Sequence, residues 1–193
     1  MILLRYLKIL KDEEIARRYF VMNSFDGTLT ILGIVIAMYM AGKHDASLVI
    51  ISSLGAAIAL AVSGVWSAYA TERAERLRSL RELEMHLLKD LNGTEIEKKM
   101  SMMTMLIALV NGLSPLLVSF IIISPLLISQ FGLIGVETAF YFSFISIVLI
   151  LFLLGAFIGK IARENYLKSG FKMLLAGIVV GIIVYILEFV KVL

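Results

Sequence analysis

Apolar residues in this chain come in five long runs separated by short charged stretches, and each run is long enough for a helix to cross a bilayer core, which takes roughly 20 residues. The runs are Tyr19–Gly42, Ser47–Tyr69, about Met102–Leu127, Ala139–Gly159 and Phe171–Val190. Residues 1–18 alternate differently. Ile2, Leu3, Tyr6, Leu7 and Leu10 fall at helical spacing with Lys8 and Lys11 elsewhere, which predicts an amphipathic helix lying on the membrane surface. No uninterrupted apolar core or small-residue cleavage site gives this start the form of a signal peptide.

Between the second and third runs, residues 71–100 keep a helical period but are strongly charged. Leu77, Leu80, Leu83, Leu87 and Leu91 line one side, and Glu72, Glu75, Glu82 and His86 line nearly the opposite side. Asn92-Gly93 is a stop signal, and Thr94 with Glu97 forms a capping box that restarts a helix. This segment therefore reads as a helical hairpin rooted in spans two and three, with its first helix running from Ser47 to Leu91. The predicted fold is an all-α integral membrane protein with five transmembrane helices and a cytoplasmic helical hairpin. Its organisation is a surface helix at 1–18, spans one and two in 19–70, the hairpin at 71–100, and spans three to five in 101–193.

Composition agrees with lipid as the solvent: 60% of the 193 residues are hydrophobic and 17% are charged, with a mean hydropathy of +0.96. The absence of cysteine removes disulfides, thiolate metal sites and cysteine nucleophiles. One Gln and four Asn leave few thermolabile residues, which fits a source that grows hot. Of the 18 basic residues, 16 fall in segments 1–19, 71–100 and 160–172. Those segments share one side in a five-span topology, so the charge bias puts the N-terminus in the cytoplasm and the C-terminus outside. The net charge of +3 then reports topology, and nucleic acid is not an implied partner.

One ionisable residue stands inside a span. Asp26 shares a helical face with Asn23, Thr30 and Gly33, at steps of three and four. An acid at membrane depth costs about 2.5 to 3.5 kcal/mol on the insertion scale, so it points into a bundle or an aqueous cavity and marks an ion or proton pathway. The competing reading places Asp26 at headgroup level, where it only ends the apolar span. Small residues recur along the second span at Ser52, Gly55, Ala56, Ala59, Ser63, Gly64 and Ser67, and Gly155/Gly159 and Gly177/Gly181 form Gly-x-x-x-Gly faces suited to close helix contact. In the third span Pro115 cannot donate to the Asn111 carbonyl, which either offers that oxygen to a cation or marks a packing kink. His44 in the outer turn reads as a solvated histidine without partner ligands. Met38, Met40, Met100, Met102, Met103 and Met105 are thioether candidates whose alternative role is adaptable packing. The Glu72, Glu75, Glu82 and His86 stripe suits Mn²⁺ or Fe²⁺, and its alternative is a solvated face paired with Arg76, Arg78 and Arg81. Neither a phosphate-binding Gly-x-x-x-x-Gly-Lys nor a His-Glu-x-x-His occurs, and the chain does not read as an enzyme.

Asp26-Gly27-Thr28-Leu29-Thr30-Ile31-Leu32-Gly33, Asn111-Gly112-Leu113-Ser114-Pro115-Leu116-Leu117, Leu154-Gly155-Ala156 and Ser169-Gly170-Phe171-Lys172-Met173-Leu174-Leu175-Ala176-Gly177 resemble, in order, the motifs of the vacuolar iron transporter family. The resemblance implies a homodimer carrying divalent iron or manganese out of the cytoplasm in exchange for protons, along a path between spans one and two. Asp26 would be the pathway carboxylate, with Asn23, Thr30, Ser63 and Asn111 beside the path, and Glu72 and Glu75 would begin the cytoplasmic metal-binding region. No resident cofactor is implied, since the metal is cargo. Two departures stand out. Where the family's second span ends Ser-Met-Ala-x-Gly-Glu-Tyr, this chain reads Ser63-Gly64-Val65-Trp66-Ser67-Ala68-Tyr69, and the hairpin is much shorter than the family's three-helix domain. A second function follows from those departures: a non-transporting membrane interaction protein whose hairpin docks a partner.

Overall fold

The computed structural model describes residues 2–42 and 45–190, with side chains described from Asp12 onward. His44 and the amphipathic face of residues 2–11 therefore fall outside the described side chains. Among the described residues the protein is all-helical: α1 (Ile2–Met40), α2 (Ala46–Leu87), α3 (Glu95–Gln130), α4 (Val136–Ile161) and α5 (Tyr166–Phe189). All five are long and apolar enough to cross a membrane.

Two boundaries differ from the sequence reading. No break separates residues 2–18 from the first span; α1 is continuous from Ile2, and its first glycine is Gly27. The second helix stops at Leu87 instead of Leu91. Leu88 takes a left-handed φ of 49°, and the following turn is held by side chains. Glu84 Oε1 accepts the Leu91 N–H at 2.9 Å and Asp90 Oδ1 accepts the Asn92 N–H at 2.8 Å. The capping box forms in altered register. Glu97 Oε2 accepts the N–H of Gly93 at 2.6 Å, one residue earlier than expected, and the Thr94 hydroxyl donates to the Leu91 carbonyl at 2.6 Å.

The chain forms two compact units, and α1, α2 and α3 each contribute to both. The first takes the described residues up to Asn23 together with 61–114. Its antiparallel α2–α3 hairpin is closed by Leu80, Leu91 and Met100, all buried, with Leu83 packed on them. Leu77 and Leu87, from the same predicted stripe, are exposed. Arg76 donates to Asp12 at 2.6 Å and lies 3.8 Å from Glu72, which ties α1 to the charged part of α2.

The second unit takes 24–60 and 115–193. Ile31, Val35, Val49, Ile122, Ile123, Leu126, Phe140 and Ile147 form its core and are fully buried or nearly so. The glycine faces serve packing within the chain. A Cβ on Gly155 would lie 2.5 Å from the Ser169 carbonyl oxygen and 2.8 Å from Gly170 Cα, and one on Gly159 would meet Ser169 Oγ at 2.7 Å, so α4 and α5 touch backbone to backbone there. A Cβ on Gly177 would come closest to the flexible end of the Leu151 side chain, Cδ1, at 2.8 Å. Asn165 caps α5 by accepting the N–H groups of Leu167 and Lys168. Helix α3 runs unbroken through both prolines. At Pro125 the orphaned Ile121 carbonyl receives the Ser124 hydroxyl at 2.8 Å, which is how a membrane helix accommodates a missing amide.

Candidate functional site

Asp26 lies on α1 in the second unit. Ser24, Thr28, Ile31 and Val35 on the opposite face are fully buried, and the Thr28 hydroxyl donates to the Ser24 carbonyl at 2.7 Å. That face is the packing face, which leaves Asp26 outward: its side chain is exposed, and among the described residues no donor reaches its carboxylate. Thr30 turns its hydroxyl onto the Asp26 backbone carbonyl at 2.8 Å, so of this pair Asp26 alone presents an unengaged side-chain oxygen.

Gly27 explains how the helix holds this position. A Cβ there would lie 2.9 Å from both Cα and Cβ of Pro115 and 3.2 Å from Val118 Cγ2. The glycine of the first sequence motif therefore sits against the proline of the second, and Pro115 is fully buried. Packing of α1 on α3 fixes the rotation of α1, and that rotation points Asp26 away from the core.

In the first unit a polar seam joins three helices. Asn23 Nδ2 donates to the Tyr19 carbonyl at 3.1 Å and to Asn111 Oδ1, and Asn111 Nδ2 donates to the Gly64 carbonyl at 2.7 Å. Asn111 is 4% exposed. The Ser67 hydroxyl adds a second, longer bond to the Gly64 carbonyl at 3.3 Å. Ser63 is exposed and joins neither asparagine.

This seam gives a physical reason for the two departures at the end of the second span. A Cβ on Gly64 would lie 3.3 Å from the Asn111 carbonyl oxygen and from Gly112 Cα, and one on Gly112 would lie 2.6 Å from the Ala61 carbonyl oxygen. Helices α2 and α3 touch here, and a methionine at 64 has no room. Ala68 is 2% exposed, so a glutamate there would carry its charge into a buried position.

The four hairpin ligand candidates are not gathered. Glu72 is engaged with Arg76 and Glu82 with Arg78, at 3.8 and 3.1 Å. Among the described residues no three His, Asp or Glu side chains are placed to hold one metal ion. Of the methionines, Met100 packs in the hairpin core while Met102 and Met105 are exposed. Sequence reasoning named Asn23 and Asn111 separately and missed their bond; the available signal was that they are the two amide side chains inside apolar spans. It also missed Asp12 and Glu84 as structural carboxylates.

A model of the VIT family matches residues 77–188, more than half of the chain and downstream of Asp26. An uncharacterized protein of Methanocaldococcus jannaschii is 36% identical over 178 residues, covering 91% of this chain and 90% of that protein. No solved structure matches. With the family's motifs placed in contact inside one five-helix chain, the protein belongs to the vacuolar iron transporter (VIT) family of membrane metal-ion transporters.

Proposed function

We propose that this protein is a secondary transporter that moves Mn²⁺ or Fe²⁺ out of the cytoplasm in exchange for protons. It works as a homodimer in the cell membrane, with the N-terminus cytoplasmic and the C-terminus outside. One observation carries the reading. Asp26 is a carboxylate in an apolar span, exposed and without a donor among the described residues, whereas an acid kept for structure would be buried and paired. Metal binding needs the deprotonated carboxylate, so metal and proton compete for Asp26, and that competition couples their movements in opposite directions. With Gly64 in place of the family's thioether, the donors left along the path are oxygens, a set suited to the harder ions and to Mn²⁺ among transition metals.

The test is metal flux into liposomes under an imposed proton gradient, comparing wild type with Asp26→Asn. Gradient-driven Mn²⁺ or Fe²⁺ movement that disappears in the folded, dimeric variant is the expected result. Equal flux in Asp26→Asn refutes the role of Asp26. Absence of flux in folded wild type refutes transport of these ions and favours the interaction protein, with its hairpin as the docking element.

A further inference from the structure

A cavity of about 190 Å³ opens between α2 and α3 in the first unit, with Tyr69, Arg73, Arg76, Glu97, Ser101 and Thr104 supplying its polar lining, the Thr104 hydroxyl being taken up by the Met100 carbonyl at 3.0 Å. Arg76 is engaged, although its buried Nε has no hydrogen-bond partner among the described residues. It is paired with Asp12 and Glu72, and the side chains of all three are between 12% and 14% exposed. Arg73 is different: among the described residues no carboxylate lies within ion-pair distance of it. The hydroxyls of Tyr69, one turn before Arg73, and Ser101 on the facing helix also have no hydrogen-bond partner among the described residues. The cavity thus presents one planar guanidinium and two hydroxyl donors from two helices, an array that fits the oxygens of a tetrahedral oxyanion.

Glu97 opposes this charge, and its place decides where the anion sits. Gly64 meets Gly112 at one end of the hairpin and Leu80 meets Met100 at the other. Glu97 therefore lies toward the hairpin turn, where the Gly93 N–H already occupies one of its oxygens, and Tyr69 lies toward the opposite, apolar end. Trp66, 77% exposed, and Tyr69 stand where the apolar run of α2 gives way to Thr71-Glu72-Arg73. Exposed aromatic residues at such a junction mark the membrane interface, the depth at which lipid phosphates lie.

We infer that this cavity binds a phosphate group, held by Arg73 between the Tyr69 hydroxyl at the apolar end and the Ser101 hydroxyl one turn from Glu97. An anionic lipid headgroup and free phosphate share that chemistry. The test uses the full chain in detergent. Its thermal unfolding midpoint is read against added phosphatidylglycerol, phosphatidylcholine and, separately, inorganic phosphate at matched ionic strength, and native mass spectrometry counts retained lipid. Protection by phosphatidylglycerol or by inorganic phosphate, weakened on the order of tenfold in affinity by Arg73→Gln and partly kept in Arg73→Lys, is the expected result. Protection by phosphatidylglycerol alone identifies the headgroup as the source, and protection by both identifies any accessible phosphate. Glu97→Gln is expected to tighten binding, and Arg81→Gln, outside the cavity, to leave it unchanged. Should Arg73→Gln not fold, Ser101→Ala gives the same reading with a smaller loss. Protection that is undiminished in Arg73→Gln and Ser101→Ala, or absent with both ligands, overturns the inference. None of these readouts depends on metal flux.

Discussion

Replacing Gly27 by alanine inserts one methyl group between α1 and α3 beside Asp26. The added Cβ would stand 2.9 Å from two atoms of Pro115 and 3.2 Å from Val118 Cγ2. Pro115 cannot swing aside, because its ring is fixed to the backbone, so the helices must separate or α1 must rotate. Overpacking of this kind costs about 1 to 3 kcal/mol. The substitution also removes a mid-helix glycine, which favours the helix by about 1 kcal/mol. Gly33→Ala, on the same helix, separates the two contributions: nothing lies within 4 Å of its added Cβ, so only the propensity gain applies. The difference between the two variants should then be about 1 to 3 kcal/mol, with Gly33→Ala the more stable. Equilibrium denaturation in mixed micelles reads this difference directly. Metal flux gives a second measure, because rotation of α1 turns Asp26: flux should fall in Gly27→Ala and persist in Gly33→Ala. Equal stabilities for the two variants would show that α1 and α3 do not meet at Gly27 and Pro115.

Asn111→Leu removes the donor to the Gly64 carbonyl and the acceptor for Asn23, and it should destabilise the protein by about 1 to 2 kcal/mol in the same denaturation assay, the range of interhelical hydrogen bonds in membranes. Unchanged stability would reduce the seam to a passive contact. At the hairpin turn, the Asn92 backbone N–H, seconded by the Asn92 side-chain amide, holds the Asp90 carboxyl below the ordinary aspartate value. A depressed folded value means that the stabilisation of this turn is fully present above the unfolded value near pH 3.9 and is lost as pH falls through the folded one. Amide exchange at Asn92 should accelerate on acidification below about pH 4 beyond the intrinsic trend, and Asp90→Asn should abolish that extra dependence; exchange that follows the intrinsic trend in wild type would refute it.

The five helices were legible because each had to present an apolar surface over a whole bilayer, which leaves a signal no local detail can hide. The end of α2 was not. It is set by Glu84 and Asp90 reaching forward to backbone amides, and helical periodicity carries no trace of such bonds. Spacing grouped Asp26 with Asn23, Thr30 and Gly33 and aimed that face at a bundle or an aqueous cavity; that the packing face is the one carrying Ser24, Thr28 and Ile31, with Asp26 exposed, was not legible. Nor were the contacts that orient the helix. Gly27 meets Pro115 across 88 residues, and Asn23 meets Asn111 across the same interval, which are statements about how α1 and α3 are registered. One sequence gives the face each helix offers; its register against a neighbour emerges only when both faces are packed.

The changes at 64 and 68 are best understood as one physical change. Gly64 admits the backbone of Asn111 and Gly112, and the Asn111 amide then bonds the carbonyl that a larger residue would have covered. Position 68, one turn further along the same stripe, is buried as well, so a glutamate there would carry its charge into a buried position. Where the family pattern has a methionine and a glutamate, this chain has a helix contact stabilised by asparagine hydrogen bonds. The contact occupies the face of α2 that carries Ala61, Gly64 and Ala68, while Asp26 projects from the unpacked face of α1 and remains exposed. The departures from the family pattern therefore leave Asp26, the carboxylate of the proposed path, untouched, and under that proposal they bear on which ion is preferred before they bear on whether one is carried.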